Sequence, residues 1–408
     1  MEASTVQHPI SWARFSARAI AHSYGIDCRA SFFRLLPICG RGGVDTHLIV
    51  KTRGGGGGVI DVVAKFGAKA DEKTDLTTLD GPRKAPIEIQ VEGTVKAPAD
   101  PGAFKEPKWI TFNRIENFKL SGGGLFDGHG TTAYKREGCK NHDYCGSLPI
   151  NLRFDFLTNA MIQDITTKDR KQFHVNVLGY KNITFKHFTV SAPDESPNTV
   201  GIHIERSDGV NVLNSEIKTG DDCVSIGDGS KNLVSNEVTC GPGHGTSIGS
   251  LELFKNEEPV DGVTVKNCTF TNTSNGVRIK TWPGAEPGTC SNIHFEDITA
   301  TNVSSPIIID QKYCPWNKCK INEESKVKLR NISFKNIHGT SALPEAIKII
   351  CSATLPCENV ELADIEITHS GPTGPAVSQC SNMKPKVSGK QNPAPCSAPI
   401  PAKPTSAA

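Results

Sequence analysis

The chain has 408 residues and contains no run of ~18 apolar residues, which excludes a membrane-spanning helix of ordinary length. Neither sign of charge dominates: 45 Lys and Arg stand against 43 Asp and Glu, for a formal net charge of +2. That balance removes the basic surface expected of a nucleic-acid or anionic-membrane binder. Apolar residues spaced i, i+3, i+4 are nearly absent, so amphipathic helices are not expected. Leucine is not enriched at fixed places, which argues against a leucine-rich repeat, and the repeats are too short for propeller blades. There is no Cys-x-x-Cys and no clustered His at ligand spacing, so a zinc site lacks its pattern. The first residues, "MEASTVQHPISWARFSARAIAHSYGIDC", lack the basic, apolar, then small-residue order of a secretory leader.

What is present points to an oxidising compartment. The 14 cysteines are many for a cytosolic chain of this size. Several bracket short loops, among them Cys139/Cys145, Cys314/Cys319, Cys351/Cys357 and Cys380/Cys396, as disulfides do. Asn182, Asn267, Asn272, Asn302 and Asn331 each begin an N-x-S/T sequon. Chance in an Asn- and Thr-rich chain explains these equally well. Secretion is therefore expected from the body of the chain and against its N-terminus.

Three segments differ in character. Residues 1–58 are atypical and end in "RGGGGG", which reads as a flexible linker because no Lys-Ser/Thr follows to make a phosphate loop. Residues 397–408 form a Pro- and Ala-rich tail. Residues 59–396 carry a repeat: "KNITFKHFTV", "DGVNVLNSEI", "KNLVSNEVTC", "DGVTVKNCTF", "SNIHFEDITA", "RNISFKNIHG", "ENVELADIEI". Each begins with a turn pair, often containing Asn or Gly, and continues with period-two alternation over strand-length runs. Stacked as successive coils, these predict an all-β parallel β-helix, a solenoid forming one elongated domain whose sheet faces can make a long groove. A β-sandwich accounts less well for so sustained a repeat.

Four stretches carry polar chemistry: "SPNTVGIH", "TGDDC", "GPGHG" and "RIK". Coils stacked about 4.8 Å apart would bring them onto one face. Asp221 and Asp222 can cooperate if the chain bends between them, and Gly220 allows a bend. Two close carboxylates cannot both ionise freely, which keeps one as an acid, the requirement of glycoside hydrolysis. A solvated turn is the ordinary reading of "DD" alone, as a surface histidine is of His244. Arg278 and Lys280 alternate onto one face and suit a carboxylate-bearing ligand. Having all four stretches in order on one solenoid shifts the balance toward a site.

These stretches resemble the plant polygalacturonases, pectin-hydrolysing enzymes whose signatures are Asn-Thr-Asp, Gly-Asp-Asp, Gly-His-Gly and Arg-Ile-Lys. "LPINLRFDF", "QFHVNVLG", "ESPNT", "CGPGHGTSIGSL" and "NGVRIKTWP" are similar to the pollen-type, exo-acting branch. The resemblance implies a right-handed parallel β-helix that inverts the anomeric centre, with Asp221 as general acid and Asp222 activating water. It implies that His244 supports the acid, that Arg278, Lys280 and Tyr313 bind galacturonate, and that Asn198 holds the turn near the cleavage site. It also implies a Cys223–Cys240 disulfide, no metal or other cofactor, a monomer acting on pectin, and a secreted, cell-wall location. Pectate lyase chemistry would need an acidic calcium cluster that is not seen beside Arg278.

Three departures stand against that pattern. Val200 occupies the place of the third signature aspartate, and valine cannot accept a proton. A segment expected between Leu76 and Asp80 is missing, which would leave one end of the solenoid uncapped. The N-terminus is unrelated. A catalytically weakened pectin-binding protein on the same scaffold is therefore the competing expectation.

Overall fold

The structure is a computed structural model. It describes residues 78–130 and 148–396, apart from 83–85, 99–103, 105, 171, 197 and 316–318, together with the strands His47–Thr52 and Val59–Asp61. The Gly-rich stretch, the Cys139/Cys145 pair, the junction after Leu76 and the Pro/Ala tail lie outside the described residues.

Among the described residues every regular element is a β-strand, and no helix is long and apolar enough to cross a membrane. The expected right-handed parallel β-helix is what forms. One sheet has 11 strands, one per coil, all parallel, from Thr78–Asp80 at one end to Val377–Ser381 at the other. The other sheet has 17 strands. It is two rows joined by long bent strands: Asp208–Lys218 pairs with Lys181–Lys186 along its first half and with Thr189–Ser191 along its second. At the N-terminal edge, His47–Thr52 runs antiparallel to Ile87–Glu92.

The turn pairs of the repeat have a backbone cause. Asn182, Gly209, Asn232, Gly262, Asn292, Asn331 and Asn359 all take positive φ, between 51° and 75°. Only glycine, and asparagine through local hydrogen bonding, enter that region at low cost. The asparagines also ladder from coil to coil: Asn331 donates to Asn292 at 3.0 Å and Asn359 to Asn331 at 3.1 Å. Four sequon asparagines, Asn182, Asn267, Asn302 and Asn331, donate their side-chain amides in this way. Coil corners thus account for much of the asparagine that makes the sequons.

Alternation fills the interior. Val175, Val177, Ile202, Ile204, Val224, Ile226, Ile248 and Ile279 point inward from the 11-stranded sheet and are fully buried. Phenylalanines stack between coils, Phe112 on Phe154 at 5.3 Å and Phe295 on Phe334 at 5.1 Å, adding ~0.5–1.5 kcal/mol per pair to their burial. Residues alternating with these face outward, so the outer face of the 11-stranded sheet is free for chemistry. Disulfides join Cys223–Cys240, Cys314–Cys319, Cys351–Cys357 and Cys380–Cys396, as expected for each.

Candidate active site

The site lies where turns enter the 11-stranded sheet on three successive coils. Ile202 pairs with Val224, and Val224 with Thr246. Two residues earlier in each coil, positions 200, 222 and 244 therefore stand in one column. Backbone bonds hold it: Gly201 N–H donates to the Asp222 carbonyl at 2.9 Å, and His244 N–H to the Asp221 carbonyl at 2.7 Å. The Gly220 requirement is one of space rather than of torsion, since a Cβ there would meet the Ser196 carbonyl oxygen at 2.1 Å.

A hydroxyl knot ties the lower turn to the upper. Thr199 Oγ1 lies 2.7 Å from Ser196 Oγ and 2.8 Å from Thr219 Oγ1, and accepts from Gly220 N–H at 3.0 Å. Thr219 Oγ1 in turn donates to the Thr199 carbonyl. Asn198 takes φ 51° in the same turn. Its side chain is exposed and makes no hydrogen bond among the described residues. The structure brings the other expected residues together, while Asn198 stays at the rim.

The two aspartates occupy opposite environments. Asp222 is buried. Its Oδ1 accepts from Ser247 Oγ at 2.8 Å and Arg278 Nη2 at 3.0 Å, and its Oδ2 from Lys280 Nζ at 2.8 Å. Burial pushes this carboxyl up, but Lys280 and Arg278 together outweigh burial and hold it below the usual carboxylate range. Asp221 is partly exposed, with Oδ1 3.2 Å from His244 Nδ1 and accepting from the Asp222 N–H at 2.7 Å. Asp221, Asp222 and His244 each offer a ligand-type atom within 4.8 Å of the others. Asp222 already neutralises two cations, however, so this donor set suits an ion-paired site better than a metal.

Arg278 and Lys280 project from the strand Asn275–Thr281, two residues apart and on one face. Tyr313 lies beside both, its ring centre 5.8 Å from the guanidinium and 5.3 Å from the ammonium. Trp282 meets the tyrosine edge-on at 5.7 Å. Burial raises the Tyr313 hydroxyl pKa, and Asp222, Asp221 and Asp310 add to the rise against Arg278.

One participant, Ser247, was not anticipated. Ser247 bridges Asp222 and Arg278, accepting from Arg278 Nε at 3.1 Å. No local signal in the sequence marks it, because its place beside Arg278 follows from the register of two coils. His203 lies in the adjoining coil, 2.7 Å from Glu205 and 3.1 Å from Ser225 Oγ. Val200 is buried yet stands outside the interior hydrophobic cluster. It shares its column with Asp222, not the core.

Residues 61–393 match the family described as Glycosyl hydrolases family 28. The chain belongs to that family. As a family 28 member it is a glycoside hydrolase. It is 62% identical over 379 residues to a polygalacturonase of Gossypium hirsutum, covering 85% of this chain and 93% of that protein. Because 379 positions correspond to only 85% of 408 residues here, the cotton protein carries residues that this chain lacks. An exopolygalacturonase of Oenothera organensis is 56% identical over 330 residues, covering 81% of this chain and 91% of that one. Among solved structures, a polygalacturonase from Erwinia carotovora aligns with TM-score 0.59 at 22% identity, over 76% of this chain and 87% of that chain. An endo-xylogalacturonan hydrolase from Aspergillus tubingensis aligns with TM-score 0.62 at 22% identity, over 76% and 92%. At these identities the two structures establish the fold of this family 28 member.

Proposed function

We propose that this family 28 chain is an exo-acting polygalacturonase that hydrolyses the α-1,4 links of the galacturonan in pectin. The observation that carries this reading is the pairing of two adjacent carboxylates in unlike surroundings. Asp222 is buried and held by Arg278 and Lys280, whereas Asp221 is partly exposed beside His244. Asp221 protonates the leaving glycosidic oxygen. Asp222 takes a proton from the attacking water on the opposite face of the sugar, which inverts the anomeric centre. His244 positions Asp221. Arg278 and Lys280 do not point freely into the groove but bind Asp222, so a galacturonate carboxylate shares their remaining N–H groups. Tyr313 covers the cations and offers its ring edge to the sugar, and Asn198 shapes the rim.

One observation favours the second reading, a pectin-binding protein of weak activity. Val200 puts no carboxylate in the column beside Asp222, and Lys280 and Arg278 lower the proton affinity of Asp222, which makes it a weak base. The domain 59–396 is the catalytic unit. The four disulfides among the described residues fit an oxidising, extracellular setting such as the cell wall.

Reducing-end release and equilibrium binding, measured in parallel on polygalacturonate, test the proposal. The expected result is binding with release of monogalacturonate alone. Binding without release selects the second reading, and absence of both overturns the assignment to galacturonan.

A further inference from the structure

The outer face of the 11-stranded sheet is not uniform in charge. On the coils before the aspartates the basic side chains have carboxylate neighbours: Arg153 pairs with Asp155 at 2.8 Å, and His203 Nε2 lies 2.7 Å from Glu205 Oε1. Beyond the aspartates one column runs Ser247, Arg278, Ile308, Lys348, in strand register. Lys348 is half-buried and makes no ion pair or hydrogen bond among the described residues. Lys312, just beyond Ile308 in the chain, pairs with Glu324 at 3.6 Å. Between the two cations of the column, Ile308 is buried although it stands outside the interior core. It provides an apolar floor on the outward face.

We propose that Lys348 is a second carboxylate-binding position of the groove, two coils beyond Arg278, which binds an acidic sugar of a galacturonan chain lying across Ile308. This rests on the galacturonan reading above. Adjacent strands are about 4.8 Å apart, so Lys348 sits roughly 10 Å from Arg278 along the solenoid axis. That is too far for one sugar to meet both cations, and it suits a polymer with a carboxylate on every residue. Lysine reads such a charge as a mobile point donor rather than a fixed fork. Its four-carbon stem follows the apolar floor while the ammonium reaches the acid.

The test is calorimetric binding of oligogalacturonates two to six residues long to the full chain and to Lys348→Met, Lys348→Glu and Lys348→Arg. The side chain is half-buried and unpartnered, so the variants should fold, and circular dichroism verifies this. Lys348→Met should weaken binding of the longest oligomers by about tenfold, the ratio that one charge-assisted contact of ~1.4 kcal/mol provides. It should leave the dimer unchanged. Lys348→Glu should weaken the long oligomers further, and Lys348→Arg should retain binding. Methyl-esterified hexamer should bind all variants alike. Equal binding of every oligomer by wild type and Lys348→Met, or an equal loss at every length, overturns the proposal and spares the galacturonan assignment. A wild-type protein that binds none of the oligomers overturns both.

Discussion

Two turns one coil apart, at 198–201 and 220–223, enter the same sheet in the same register. Gly201 N–H bonds the Asp222 carbonyl, and the Thr199 hydroxyl bonds the Gly220 N–H. The upper turn delivers a buried carboxylate held by Ser247, Arg278 and Lys280. The lower turn delivers Val200, buried and inert. Backbone and hydroxyl scaffolding of the lower turn is therefore like that of the upper, although the side chain it presents is apolar. The machinery that aims a side chain and the side chain that is aimed are separable. Valine fills the space at position 200 without needing hydrogen-bond partners.

The sharpest way to break this comparison is to make the turns alike. Val200→Asp should raise polygalacturonate hydrolysis by at least about tenfold, and up to the 10⁴-fold range of a positioned base. Val200→Asn should not, because an amide cannot take the proton. Asp221→Asn on top of Val200→Asp should abolish the gain. Initial rates of reducing-end release decide it, and a wild-type rate already equal to that of Val200→Asp would show that Asp222 suffices alone.

Weakening the upper turn has the next largest effect. Lys280→Met leaves Asp222 buried with Arg278 and Ser247 only. Removing one partner of a buried pair costs on the order of 3 kcal/mol, visible as a lower urea midpoint at pH 7. The pH profile carries the same information. The folded-state pKa of Asp222 lies below its unfolded value of about 3.9. Its stabilisation is therefore full above that value and is lost as pH falls through the folded pKa. With Lys280 gone the folded pKa rises, so acid unfolding should begin at higher pH. Identical acid limbs for the two proteins would contradict the pairing.

The smallest effect is expected at the link between the turns. Thr199→Ala strands the part-buried Gly220 N–H, while the Thr219 hydroxyl keeps its bond to the residue-199 carbonyl, at a cost of about 1–3 kcal/mol. Thermal unfolding measures that loss. In the Val200→Asp background the same change should also reduce the restored activity, because position 200 is no longer held at the angle of its neighbour. Full activity with Thr199→Ala would mean that the knot serves stability alone.

Much of the architecture was readable from local pattern. Period-two alternation specifies strands, and Asn or Gly at each turn pair is demanded by φ values that other residues adopt at a cost, so coils could be counted without coordinates. The four polar stretches announced a site, and Val200 stood out among them, because motif residues lie within a few positions of each other. What the chain could not disclose are contacts between coils. Asp222 meets Arg278 and Lys280 across 56 and 58 residues. Coil lengths also vary: one strand step links Ile202 to Val224, and another links Ile308 to Lys348, so register cannot be obtained by counting. Ser247 as a bridge, Asp222 rather than Asp221 as the buried partner of both cations, and Lys348 in line with Arg278 were decided by stacking alone. Local sequence determines which way each side chain faces; only the closed turns of the solenoid determine which distant side chain it faces.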